Sequence, residues 1–95
     1  MMTRYEINNS DDLDIIRGIE MDKITFDTMK ALNLKTFRST KNRKLDRLKA
    51  EEKYSSKVDL RLYAVHHTFS GLVGLAPREI HEKVSHKGYF YRLAN

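Results

Sequence analysis

The side chains in this sequence best suited to chemistry are cations. Lys35, Arg38, Lys41, Arg43, Lys44, Arg47, Lys49 and Lys53 fall within one stretch whose only acids are Asp46, Glu51 and Glu52. Basic residues at this density suit a polyanion, because each phosphate they neutralise releases condensed counterions. On a helix, Arg43 and Arg47 stand four apart and reach one backbone together, and Lys44 shares a face with Arg47 and Glu51. The plainer reading of the same pattern is a solvated helix face that keeps the protein in solution.

A second candidate is Lys87-Gly88-Tyr89-Phe90-Tyr91-Arg92. Aromatic rings flanked by cations stack on the bases of a single strand. The alternative is a terminal segment that docks Tyr89 or Phe90 into the core.

The histidines are His66, His67, His81 and His86. Two histidines that share a metal on one helix face stand four apart. His66 and His67 are adjacent and point apart, while 81 and 86 differ by five, so the spacing predicts no metal site. The chain has no cysteine, which excludes disulfides and thiolate zinc sites. Asp11, Asp12 and Asp14 read as acids at the positive end of a helix dipole rather than as metal ligands. No nucleophile–base order, glycine-rich phosphate loop or carboxylate pair stands out. The expectation is a protein without cofactor or catalytic residues, not an enzyme.

These residues must be carried by elements that 95 residues can supply, and that length fits one domain spanning 1–95. The pattern predicts a mainly α fold, a compact bundle of four or five short helices with a short strand admitted at either end. Met2 to Ile7 fits the N-terminal strand, and Tyr89-Phe90-Tyr91 fits a C-terminal strand or short helix. Ser10-Asp11-Asp12 opens a first helix with Leu13, Ile16 and Ile19 on its apolar face. Asp22 or Thr25 caps a second, carrying Ile24, Phe26, Met29 and Leu32, and Asn33 stops it because Asn tolerates the left-handed conformation. A third runs from about Thr40 to Tyr54, anchored by Leu45, Leu48, Ala50 and Tyr54. From Val58 to Phe69 both a strand alternation and a helical stripe fit, and the caps Ser56 and Gly71 favour helix. Gly71 to Gly74 reads as an apolar connector, and Pro77 opens a last helix with Ile80 and Val84 inward.

Two stretches match a helix-turn-helix loosely: Thr25 to Arg38, where Thr36-Phe37 opens the second helix, and Pro77 to Leu93. The net charge of +5 is uneven, with four basic and seven acidic side chains in residues 1–34 but eight and three in 35–53. Such asymmetry points to a polyanionic partner. The N-terminus has no apolar stretch behind it, and the longest apolar-rich run, Gly71 to Pro77, is too short to span a bilayer, so a cytoplasmic protein is expected.

The expected function is a small basic nucleic-acid-binding regulator, helix-turn-helix-like, with DNA ahead of RNA. Its expected contacts are Lys35, Arg38, Lys41, Arg43, Lys44, Arg47, Lys87, Tyr89, Tyr91 and Arg92. The alternative is a non-enzymatic adaptor or inhibitor that grips an acidic or nucleic-acid-binding protein through the same surface. Pairing of two copies through apolar stripes is a third option.

Overall fold

The computed structural model describes residues 10–84, 86 and 88–94, with the side chains of 10–12 and 91–92 left outside the description. Along the chain run α1 (Ser10–Ala31), β1 (Phe37–Arg38), α2 (Arg43–Tyr54), β2 (Tyr63–His67), β3 (Leu72–Pro77), α3 (Arg78–Lys83) and α4 (Tyr89–Ala94). The strands form one antiparallel sheet in the order β1-β3-β2. The architecture is therefore mixed α/β, and the expected bundle of four or five helices is overturned. The N-terminal strand expected over Met2 to Ile7 lies outside the described residues.

The correction centres on β3. Val73, Gly74, Leu75 and Ala76 are all buried, so the run read as a connector is the middle strand, covered on both faces. A short continuous apolar run bounded by turn residues is the pattern of such a strand. Its partner β2 lies in the region favoured as helix, and pairs from Tyr63 with Pro77 to His67 with Val73. Between them the Thr68–Gly71 turn is closed by Gly71 N–H to Thr68 O at 3.0 Å and Thr68 N–H to Leu72 O at 2.8 Å. Gly71 has φ +96, and a Cβ there would stand 2.9 Å from the Tyr89 ring, so both backbone and space call for glycine.

The two helices expected between 10 and 32 are one, α1. Its buried face is Gly18, Met21, Thr25 and Met29, at spacings of three or four. Leu13, Ile16, Ile19 and Phe26 remain exposed. A face made partly of small residues lets the helix sit close to the sheet. An added Cβ on Gly74 would meet Thr25 Cγ2 at 2.8 Å and Met29 Cγ at 3.2 Å. Asn33 ends α1 as expected, at φ 57. Asn33 N–H reaches Lys30 O at 3.1 Å and Leu34 N–H reaches Met29 O at 2.9 Å, the paired bonds of a Schellman stop.

Helix α2 begins at Arg43 rather than Thr40, because Asn42 Oδ1 accepts the Leu45 N–H at 3.0 Å and caps it. Of the expected anchors, Leu45 and Leu48 are exposed at 46% and 51%, while Ala50 and Tyr54 do dock the helix, with the unexpected Asp46 beside them. Ala50 and Tyr54 join Met29 and Leu75 in the core. The Tyr54 hydroxyl donates to Lys35 O at 2.6 Å. Pro77 closes β3 and precedes α3, whose Ile80 is 41% exposed rather than facing the core. Tyr89 and Phe90 are helical, in α4, so the C-terminal strand is also set aside.

Candidate functional site

Successive residues of a strand point to opposite faces. In β2 this sends His66 towards α1 and His67 towards α2, and each meets an aspartate. His66 Nε2 donates to Asp22 Oδ1 at 2.6 Å. The second oxygen of Asp22 accepts the Phe69 N–H at 2.9 Å, so one carboxylate ties α1 to both β2 and its turn. His67 Nε2 donates to Asp46 Oδ2 at 2.9 Å. Asp46 also accepts Ser39 Oγ–H at 2.5 Å, Thr40 N–H at 2.7 Å and Thr40 Oγ1–H at 2.7 Å. These four donors explain a fully buried aspartate in α2. Burial alone would raise its pKa, but the bonds from Ser39, Thr40 and His67 together win and hold it at about 2. Ser39 donates to Asp46 and not to a histidine, so the Ser39–Asp46–His67 cluster has no activated nucleophile.

On the α1 side of the sheet His66 is joined by His81 from α3 and His86 from the segment after it. His66 Nδ1 lies 3.2 Å from His81 Nε2. The ring centroids are 5.3 Å apart for 66–81 and 66–86, and 4.7 Å for 81–86. His86 Nδ1 donates to Val84 O at 2.7 Å. Burial, with His66, His86 and Arg78 nearby, pushes His81 down to about 4 against the weaker pull of Glu82. Burial also lowers His67, with Asp46 opposing.

The three histidines form one wall of a cleft of about 500 Å³. Arg43, Arg47 and Phe90 line it as well. The Arg43 guanidinium stands 4.7 Å from the centroid of the Phe90 ring, and that ring meets His67 edge-on with centroids 4.8 Å apart. Arg47 also borders an adjoining hollow next to Tyr63 and Arg78. Arg78 itself is committed: its guanidinium donates to the carbonyls of Leu60, Arg61 and Tyr63 and to Glu82.

The structure divides the expected contact residues. Arg43 and Arg47 share the cleft, and neither forms an ion pair among the described residues. Lys49 and Lys53 lie on the other flank of α2, with their Nζ atoms 5.2 and 5.7 Å from the Phe37 ring centroid. The basic stretch therefore does not converge on one face. Lys35, Arg38, Lys41 and Lys44 are exposed, Arg38 in β1 and Lys41 at φ 71 just before the Asn42 cap. Tyr89 is 8% exposed and packs on Gly71, which removes it from an open stacking surface. Lys87 and the side chains of Tyr91 and Arg92 lie outside the described residues. Of the two helix-turn-helix stretches, Thr25 to Arg38 runs into β1, so no second helix opens at Thr36-Phe37. Pro77 to Leu93 does carry two helices, α3 and α4, of six residues each.

Sequence reasoning passed over Asp22, Asp46 and the meeting of His66, His81 and His86. No local spacing encodes that meeting, because a strand, a short helix and a loop each supply one ring. Comparison with protein-family models, with curated proteins and with solved structures gives no match.

Proposed function

We propose that the protein binds a nucleic-acid strand in the cleft between α2 and α4, without a catalytic step. The observation that supports this reading is the placing of Arg43 and Arg47 beside Phe90 in one cleft, with no carboxylate pairing either guanidinium among the described residues. Unpaired arginines meet phosphate oxygens in a bidentate fashion, and an adjoining ring offers a face to a base. Lys41 and Lys44, exposed around the start of α2, extend the positive surface along the backbone of the ligand. Fluorescence anisotropy with single-stranded and duplex oligonucleotides tests the proposal. Affinity is expected to fall at least tenfold, as an order of magnitude, between about 50 and 200 mM salt. Absence of binding at the lower salt removes it.

A second reading is an adaptor or inhibitor that occupies a partner protein through the same basic surface. It is favoured by Leu45 and Leu48, exposed at 46% and 51% beside Lys44 and Arg47. A partner recovered from lysate that survives nuclease treatment supports this reading over the first. Light scattering on the isolated chain separates pairing of two copies from capture of a different protein.

A further inference from the structure

We infer that His66, His81 and His86 form a binding site for a divalent transition-metal ion, zinc foremost, open to the cleft on its fourth side. The site is independent of the nucleic-acid reading.

Each of the three rings offers a ligand nitrogen, and these atoms lie within 4.8 Å of one another. Four-coordinate zinc with Zn–N bonds of about 2.0–2.1 Å holds its nitrogens about 3.3 Å apart. His66 Nδ1 and His81 Nε2 already stand at 3.2 Å. A small closure of His86, which sits on a loop and not in the sheet, completes the third side.

The hydrogen bonds around the rings point the same way. Asp22 takes the hydrogen of His66 Nε2, which leaves the Nδ1 lone pair facing His81. The Val84 carbonyl can only accept, so His86 Nδ1 carries the hydrogen and Nε2 is the free ligand atom. A histidine that binds metal through one nitrogen and donates from the other to a carboxylate or carbonyl is the usual outer-shell pattern. Here two of the three ligands have it in advance. The third, His81, turns from donating towards His66 to binding the metal through the same Nε2.

The choice of ion follows from the donors. Three imidazoles with no thiolate suit zinc, copper or nickel rather than calcium or magnesium, which take oxygen. Three protein ligands leave one position for water or an anion, as in zinc sites that are not purely structural. Arg43 and Arg47 line the same cleft. They raise the cost of bringing in a dication, and they favour an anion in the fourth position. The half-buried Asp22 carboxylate behind His66 offsets part of that cost.

The test uses the untagged full chain stripped with chelator. Calorimetric titration with zinc chloride is expected to show one equivalent bound with micromolar affinity or better, and a metal-dependent rise in melting temperature. Cobalt(II) is expected to give the strong visible bands of a four-coordinate ion. His81→Asn and His86→Gln, both at partly exposed positions, each weaken zinc binding by about tenfold or more, as loss of a ligand requires. Asp22→Asn weakens it about 10–100-fold through His66. If the Asp22 variant fails to fold, His86→Gln, at a partly exposed loop position whose ring nitrogen bonds Val84 O two residues back, decides the matter. A chain that takes up no zinc, or takes it up equally well after His81→Asn and His86→Gln, overturns the site.

Discussion

Asp22 and His66 are separated by 44 positions in the chain, yet their side chains meet at 2.6 Å. One residue further along β2, His67 meets Asp46 at 2.9 Å on the other face of the sheet. Neighbouring histidines are thus each held by an acid from a different helix, and β2 is fastened from both sides. That arrangement leaves the His66 Nδ1 lone pair facing His81 Nε2 at 3.2 Å, on the wall of the cleft.

The Asp46 network makes stability depend on acid. The carboxyl is held at about 2 in the folded protein against an ordinary 3.8, so its contribution is complete above about pH 4 and disappears as pH falls towards 2. A shift of that size corresponds to about 2 kcal/mol. Urea unfolding between pH 7 and pH 2 is expected to show this loss. Asp46→Asn is expected to be destabilised by about 2–3 kcal/mol at pH 7, because one acceptor oxygen becomes an NH2 group that faces donors, and the gap to the parent narrows in acid.

Tyr54 gives the opposite slope at the alkaline end. Burial raises its hydroxyl from 10.0 to about 12. The stability tied to the neutral phenol is present below pH 10 and is lost as pH rises towards 12. Tyr54→Phe is expected to cost about 1 kcal/mol at neutral pH, through the bond to Lys35 O, and to remove that alkaline loss. Chemical denaturation from pH 8 to pH 11.5, on the order of ten points, checks both statements.

Gly74→Ala tests the close approach of α1 to the sheet. The new methyl would stand 2.8 Å from Thr25 Cγ2, a short branched group on the buried face of α1. Destabilisation of about 1–3 kcal/mol is expected. Adding Thr25→Ala to the same chain restores part of it, and a double-mutant cycle reads the coupling.

Thr25→Val is expected to stabilise. The Thr25 hydroxyl is fully buried without a hydrogen-bond partner among the described residues. Valine keeps the shape and removes the unmet polar group, for a gain of about 1 kcal/mol in thermal or urea unfolding.

The two flanks of α2 separate in binding. Arg47→Ala, on the cleft side, is expected to weaken oligonucleotide binding and to lower the salt slope by about 1. Lys53→Ala, over Phe37 on the other side, leaves both nearly unchanged. Equal losses from the two variants indicate diffuse attraction to the whole helix and count against the cleft.

The helical regions were the more legible part of the fold. Asn33 marked the end of α1, and the charged pattern marked α2 to within a few residues, because capping and helical spacing are local. The sheet was misread for a physical reason. Val58, Leu62, Val65 and Phe69 satisfy a helical stripe, while the strand that stands there draws its stability from pairing with β3 and from cover by helices far away in sequence. In α1 the visible apolar residues misled, since Ile16, Ile19 and Phe26 face outwards and the packing face includes Gly18 and Thr25.

Taken alone, the sequence determined that cations crowd into residues 35–53, that no thiolate chemistry is available, and where individual helices can stop, since these depend on residue type and near neighbours. Only the tertiary structure decided which arginines share a cleft, that Asp46 is buried and satisfied, and that three histidines from separate elements come within reach of one ion. The reason is that contacts between distant segments arise from strand pairing and helix packing, and local spacing carries no record of either.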